Sequence, residues 1–307
     1  MRSLLRPMGI REILDSTFTI MRERFWTFQG VIFLAFLPAT LFFLMIGGLI
    51  AAIIYKISFS QGLSSLSDHR IWSELLSASG IITLIFLLLL GALFIIAAIA
   101  GSIFFQHGTI NLFKHGLHGE KCKVREAFNG LKKKWLWYFL YYILIQIAMM
   151  IITVPFSIGS ATISFLNLPL LNFGIQILIM LLQMTVMFFF CLTPVIIAVE
   201  DVDIIKALIR SFQLPAKHRL RMLGTLIALY LLMIGFYAII IGLLIPSIAM
   251  ISNMVNLFTI LFLVFSILLV LLVISGMIPF VYGPVTAIYY DFVIRKEGYD
   301  IQLQMES

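Results

Sequence analysis

Two histidines three residues apart, His115 and His118, with Cys122 close behind, are the side chains best suited to hold a metal. Histidines at i and i+3 can share one helix face and present nitrogen ligands together. The stretch HGLHGEKC also carries two glycines, and no further Cys/His cluster follows to complete a ligand set. The expectation is solvated loop residues and no metal. A second group is Lys132-Lys133-Lys134. Beside a membrane such a run attracts anionic headgroups, at roughly 1 kcal/mol per charge, and it also anchors topology. A third set mixes signs: Glu200 and Arg210, then Asp291, Arg295, Lys296, Glu297 and Asp300. The chain has no GxGxxG, GxxxxGK[ST] or HExxH pattern and no GxSxG elbow, so no dinucleotide, phosphate-loop, zinc-protease or serine-hydrolase chemistry is expected. No catalytic residue and no cofactor are assigned.

The elements that must position these groups follow from composition. Of 307 residues, 62% are hydrophobic and 11% charged, against about 45–50% and about 25% in soluble domains. This excludes a soluble globule, a disordered chain and a disulfide-stapled domain. Six apolar stretches, near 31–55, 81–105, 137–159, 173–199, 223–246 and 257–290, reach the roughly 20 residues that a membrane-spanning helix needs. They are too long and too continuously apolar for barrel strands. The fold class is therefore all-α: an integral membrane bundle of six helices in three hairpins, one membrane domain over 1–307.

No span core carries an ionisable side chain, and such groups usually mark ion or substrate paths. The polar residues inside the spans, Gln146, Gln183, Thr185, Thr193 and Ser266, are expected to bond between helices. Pro194, Pro279 and Pro284 are expected to kink or start helices.

Charge fixes an expected orientation. Segment 1–30 has five Lys or Arg, 107–136 seven, 200–222 five and 291–307 two, leaving only Lys56 and Arg70 on the other side. The positive-inside rule places both termini in the cytoplasm. The opening residues, broken by Arg6, Arg11, Glu12 and Asp15, do not read as a signal peptide. The first three of these cytoplasmic segments also each hold an amphipathic stretch, at 9–29, 123–135 and 202–214. Their apolar positions are Ile10, Ile13, Leu14, Phe18, Met21 and Phe25 in the first, Val124, Phe128, Leu131 and Trp135 in the second, and Ile205, Leu208, Ile209 and Phe212 in the third. A threefold repeat of interfacial helix plus hairpin follows. Cys122 and Cys191 fall at different membrane levels, so no disulfide is expected. Basic residues scattered along the membrane edge, with no reading module, argue against nucleic acid.

Three further stretches carry a resemblance. Arg6-Pro7-Met8-Gly9-Ile10 with Glu12-Ile13-Leu14-Asp15, then Glu200 with Ala207-Leu208-Ile209-Arg210-Ser211-Phe212, then Tyr289-Tyr290-Asp291 with Arg295-Lys296-Glu297-Gly298-Tyr299-Asp300 together resemble the glycerophosphoryl diester phosphodiesterase membrane-domain family of bacteria. The resemblance implies a membrane domain that fused members attach to a separate catalytic barrel. No barrel follows before Ser307, so hydrolysis is not expected of this sequence. The expected function is a non-enzymatic bacterial plasma-membrane module, a scaffold or accessory subunit whose partners are membrane lipids and a membrane or cytoplasmic protein. The alternative is a permease for a small neutral or amphipathic solute. The matched charges are expected to pair across the repeats, Glu200 with Arg295 among them.

Overall fold

The computed structural model describes residues 7–61, 78–165, 168–253 and 257–297. Arg6, Arg70, Tyr299 and Asp300 lie outside them. Within them the chain is all-α, 90% helical with no strand. The helices run α1 (Ile10–Glu23), α2 (Phe25–Gln61), α3 (Ala78–Leu117), α4 (Val124–Ala127), α5 (Leu131–Phe165), α6 (Pro169–Phe190), α7 (Thr193–Glu200), α8 (Ile204–Gln213), α9 (Arg219–Asn253) and α10 (Leu257–Glu297). Among the described residues six stretches are long and apolar enough to cross a membrane: Phe25–Leu49, Ile81–Leu117, Leu131–Ala161, Pro169–Glu200, Arg219–Pro246 and Val273–Lys296. The protein is multi-pass. In hydrocarbon the backbone must bond to itself, and a helix once nucleated adds a bond with each residue fixed, so most helices outrun the apolar runs that start them.

The amphipathic stretches differ from their sequence reading. The first is α1 plus the opening turn of α2, separated at Arg24, where ψ turns to 22°. Its buried face is Ile13, Ser16, Thr17 and Ile20, while Phe18 remains 46% exposed. The second is not one helix. The single turn α4 stops before Gly130, whose φ of +80° breaks helical geometry, and the three lysines open α5 instead. Residues 107–117, expected as loop, are the buried last turns of α3. The third stretch is α8.

Two compact units divide the chain. One, Gly30–Phe105, pairs α2 with α3. A Cβ on Gly101 would sit 2.6 Å from the Ala35 carbonyl oxygen, so only glycine permits this backbone approach. Phe36 packs on Phe105 and Phe43 on Phe94, with ring centroids 5.8 and 6.2 Å apart.

The other unit comprises Met1–Gln29 and Gln106–Ser307. Its centre is the C-terminal part of α10: the sixth span is 78% buried in its most apolar stretch, against 6–17% for the other five. Helix α1 packs on α10 and α9. Three glycines receive it. A Cβ on Gly283 would collide with Thr17 and lie 2.7 Å from Phe113, one on Gly116 would lie 2.7 Å from Ile20, and one on Gly224 would lie 3.0 Å from Ile10. The face of α1 that carries Ile13, Ser16, Thr17 and Ile20 is thus buried against protein, while the other apolar positions stay partly exposed.

The fourth span is divided. Pro194 is the second residue of α7 and has no N–H to give the Phe190 carbonyl. The Tyr141 hydroxyl donates to that carbonyl at 3.3 Å, the Ser211 hydroxyl shares its hydrogen between Leu208 O at 2.8 Å and Phe189 O at 3.1 Å, and the Tyr138 hydroxyl donates to Pro194 O at 3.0 Å. Side chains from α5 and α8 therefore satisfy the carbonyls around the break.

Candidate functional site

The charged ends of the spans in the larger unit carry a layer of polar side chains. Glu200 closes α7, its side chain 16% exposed. Its Oε1 accepts from Arg210 Nε at 2.6 Å and from the Tyr289 hydroxyl at 2.6 Å, which ties α7 to α8 and α10. The next residue, Asp201, ends α7 in the left-handed region at φ 53°. A short acidic side chain tolerates that conformation better than most. Its carboxylate pairs with Lys134, whose Nζ also donates to the Ala198 carbonyl at 2.7 Å. That ammonium holds the Asp201 carboxyl below the usual carboxylate range, with the Lys114 and Lys133 charges adding to the effect.

Asp291 on α10 is fully buried. It accepts from the Met8 backbone N–H at 2.8 Å and from Arg295 Nε at 3.0 Å, and forms an ion pair with Arg221 of α9 at 3.0 Å. One carboxylate thus joins the N-terminal segment, α9 and the end of α10. Lys296 adds a bond from Nζ to the Gln213 carbonyl at 3.3 Å.

A third node surrounds His107. Its Nδ1 lies 3.3 Å from the Tyr138 hydroxyl, and its Nε2 lies 2.9 Å from both the Asn129 carbonyl and Asn111 Nδ2. Asn111 also donates to the Ala127 carbonyl at 2.9 Å. Nε2 faces an acceptor and a donor together, so a proton on Nε2 makes the bond to Asn129 and leaves the Asn111 amide no acceptor, while a proton on Nδ1 makes the Asn111 bond and leaves the Asn129 carbonyl no donor.

The structure thus brings Glu200 to Arg210, and Asp291 to Arg295. It does not bring Glu200 to Arg295: the expected pair is replaced by Glu200 with Arg210 and Tyr289, and by Asp291 with Arg295 and Arg221. Glu297 lies on α10 without a described side chain, and Asp300 is outside the described residues. Lys134 is engaged internally, with 12% of its side chain exposed, whereas Lys132 and Lys133 are exposed. His115 lies in the last turn of α3 rather than in a loop, His118 lies in the turn that follows, and both are partly exposed. His115 Nδ1 lies 2.6 Å from a Glu120 oxygen, and this contact holds the Glu120 carboxyl below its usual range. The His118 ring stands edge-on to Tyr290. Cys122 and Cys191 are free thiols, and burial pushes the Cys122 thiol above its ordinary value. Among the described residues no three His, Cys, Asp or Glu side chains are grouped to hold a metal. His107, Asn111, Tyr138 and Arg221 are the members that the sequence did not single out, and Tyr289 entered only within the quoted resemblance. For His107 and Asn111 the available signal was the polar residues interspersed at 106–113.

A family model described as a domain of unknown function, DUF7847, matches residues 73–232, more than half of the chain. The chain belongs to the DUF7847 family. The DUF7847 match covers His107, Lys134, Tyr138, Glu200, Arg210 and Arg221, and leaves Tyr289, Asp291 and α1 outside it. Nothing in it leads to the phosphodiesterase membrane-domain family that the sequence resembles. No curated protein and no solved structure matches the chain.

Proposed function

We propose that this DUF7847 protein is a non-enzymatic membrane module, a scaffold or accessory subunit for a partner protein or for lipid handling. The observation that carries the reading is the use made of the carboxylates at the helix ends, of which Asp291 is buried and Asp201 exposed. Glu200, Asp201 and Asp291 each bind groups on other helices or on the N-terminal segment. Groups spent on joining helix ends are suited to holding a rigid frame. The permease alternative would draw on the broken fourth span, since broken helices can expose carbonyls to a substrate. Here hydroxyls from Tyr138, Tyr141 and Ser211 already occupy the carbonyls around the break, which favours the scaffold.

We further infer a relation to the membrane portion of the glycerophosphoryl diester phosphodiesterase membrane-domain family, on the three quoted stretches. A bacterial plasma-membrane location with cytoplasmic termini rests on the Lys and Arg distribution. Extraction of the tagged protein from its native membrane into polymer discs, followed by mass spectrometry, tests the proposal. A stoichiometric partner protein or one enriched lipid is the expected result. Recovery of the protein alone, with solute-dependent flux in proteoliposomes, would replace the scaffold with the permease.

A further inference from the structure

Helix α8 is amphipathic in an unusual way: its buried side is the small one. Ile204, Ala207 and Ser211 face α5, α6 and α7, while Ile205, Ile209 and Phe212 are 68%, 51% and 39% exposed. These three, spaced by four and three residues, form one outward stripe. Phe212 stacks on Phe189 of the fourth span, ring centroids 5.0 Å apart, so the stripe continues the apolar surface of a membrane-crossing segment.

Cations flank the stripe. Lys206 is exposed on α8 itself, and Lys132 and Lys133 are exposed on the first turn of α5. That turn is tied to the start of α8 through Lys134 and Asp201, and the Lys133 charge acts on Asp201. Glu200 and Asp201 are engaged by Arg210 and Lys134, which leaves Asp203, the α8 N-cap, as the remaining carboxylate of 200–214. Three exposed ammonium groups therefore stand beside an uncovered apolar stripe at the end of the spans.

We propose that α8 and the opening turn of α5 form a binding surface for anionic phospholipid. The apolar stripe seats in the acyl boundary, and Lys132, Lys133 and Lys206 bind headgroup phosphates. A soluble phosphate would use the lysines but not the stripe; the continuity of Phe212 with Phe189 points to lipid. This surface does not depend on the scaffold reading.

The test uses the full chain in detergent, titrated with phosphatidylglycerol, phosphatidylcholine or inorganic phosphate, with bound lipid read by native mass spectrometry and stability by thermal unfolding. The wild type is expected to retain phosphatidylglycerol selectively and to gain stability from it. The triple variant Lys132→Gln, Lys133→Gln, Lys206→Gln is expected to lose about fivefold in affinity per charge removed, with added salt mimicking the loss. The double variant Ile205→Ser, Ile209→Ser is expected to weaken retention with all charges intact. Three results would overturn the proposal: equal retention of phosphatidylcholine, an equal shift from inorganic phosphate, or either variant retaining phosphatidylglycerol as the wild type does.

Discussion

At the scale of single residues, Asp291 carries the largest consequence. A buried carboxylate between two guanidinium groups and a backbone N–H cannot be removed without leaving Arg221, whose Nε and Nη2 are buried, and the more exposed Arg295 without their counter-ion. Asp291→Ala is expected to cost about 3–5 kcal/mol, read as a fall in thermal midpoint in detergent or nanodiscs. Glu200 and Tyr289 should behave as a coupled pair. Tyr289→Phe and Glu200→Gln, alone and together, are expected to show an interaction energy of about 0.5–3 kcal/mol, whereas Glu200 and Arg295 should be additive, because each binds other partners. For Asp201, Lys134 lowers the folded carboxyl below its ordinary value. A depressed acid contributes stability above its unfolded pKa and loses it as pH falls through the folded value. The acid-side decline in thermal midpoint is therefore expected to be shallower in Lys134→Gln than in the wild type, which a series of melts from neutral pH downward would measure.

At the scale of elements, α1 is decided by the helices that receive it. Its buried face fits glycines on three of them, and Gly283 is the tightest of the three. Gly283→Ala places a methyl against Thr17 and Phe113, and overpacking of this kind costs about 1–3 kcal/mol. Proteolysis between α1 and α2 at Arg24 is expected to accelerate in that variant, because α1 would release from its seat; unchanged cleavage would mean that α1 is held by other contacts. The break between α6 and α7 follows from one missing N–H at Pro194. Its effect on the span is contained because Tyr141, Ser211 and Tyr138 supply donors.

At the scale of the whole molecule, the even number of candidate spans among the described residues predicts that the chain returns to the side it started from. The basic residues gather at the expected cytoplasmic segments, nineteen of the twenty-one Lys and Arg. Tags at the two ends are expected to be accessible from the same face in oriented vesicles, and accessibility from opposite faces would remove one span from the count. The larger unit also orders stability along the chain. Helix α10 is its most buried span, so hydrogen exchange is expected to be slowest there among the spans.

The number, type and approximate placement of the spans were written in the sequence, because hydrocarbon permits so few backbone solutions that uninterrupted apolar length is nearly sufficient. That opposite-sign charges fall near the span ends was legible for the same reason, since ionisable groups are driven out of the core. Which partner each charge takes was not legible. Glu200 could meet Arg210 and Tyr289 only once α8 had folded back beside α7 and α10 had risen next to both, and Lys134 became an internal ligand rather than a headgroup contact through the turn at Asp201. The burial of α1 and of His107 likewise depends on complementary surfaces distant in sequence: glycine notches on α3, α9 and α10 in one case, and the Asn129 carbonyl and Tyr138 hydroxyl in the other. Hydropathy is a property of a segment and can be read along it. A pairing is a property of two surfaces, and only the packed helices bring those surfaces to one another.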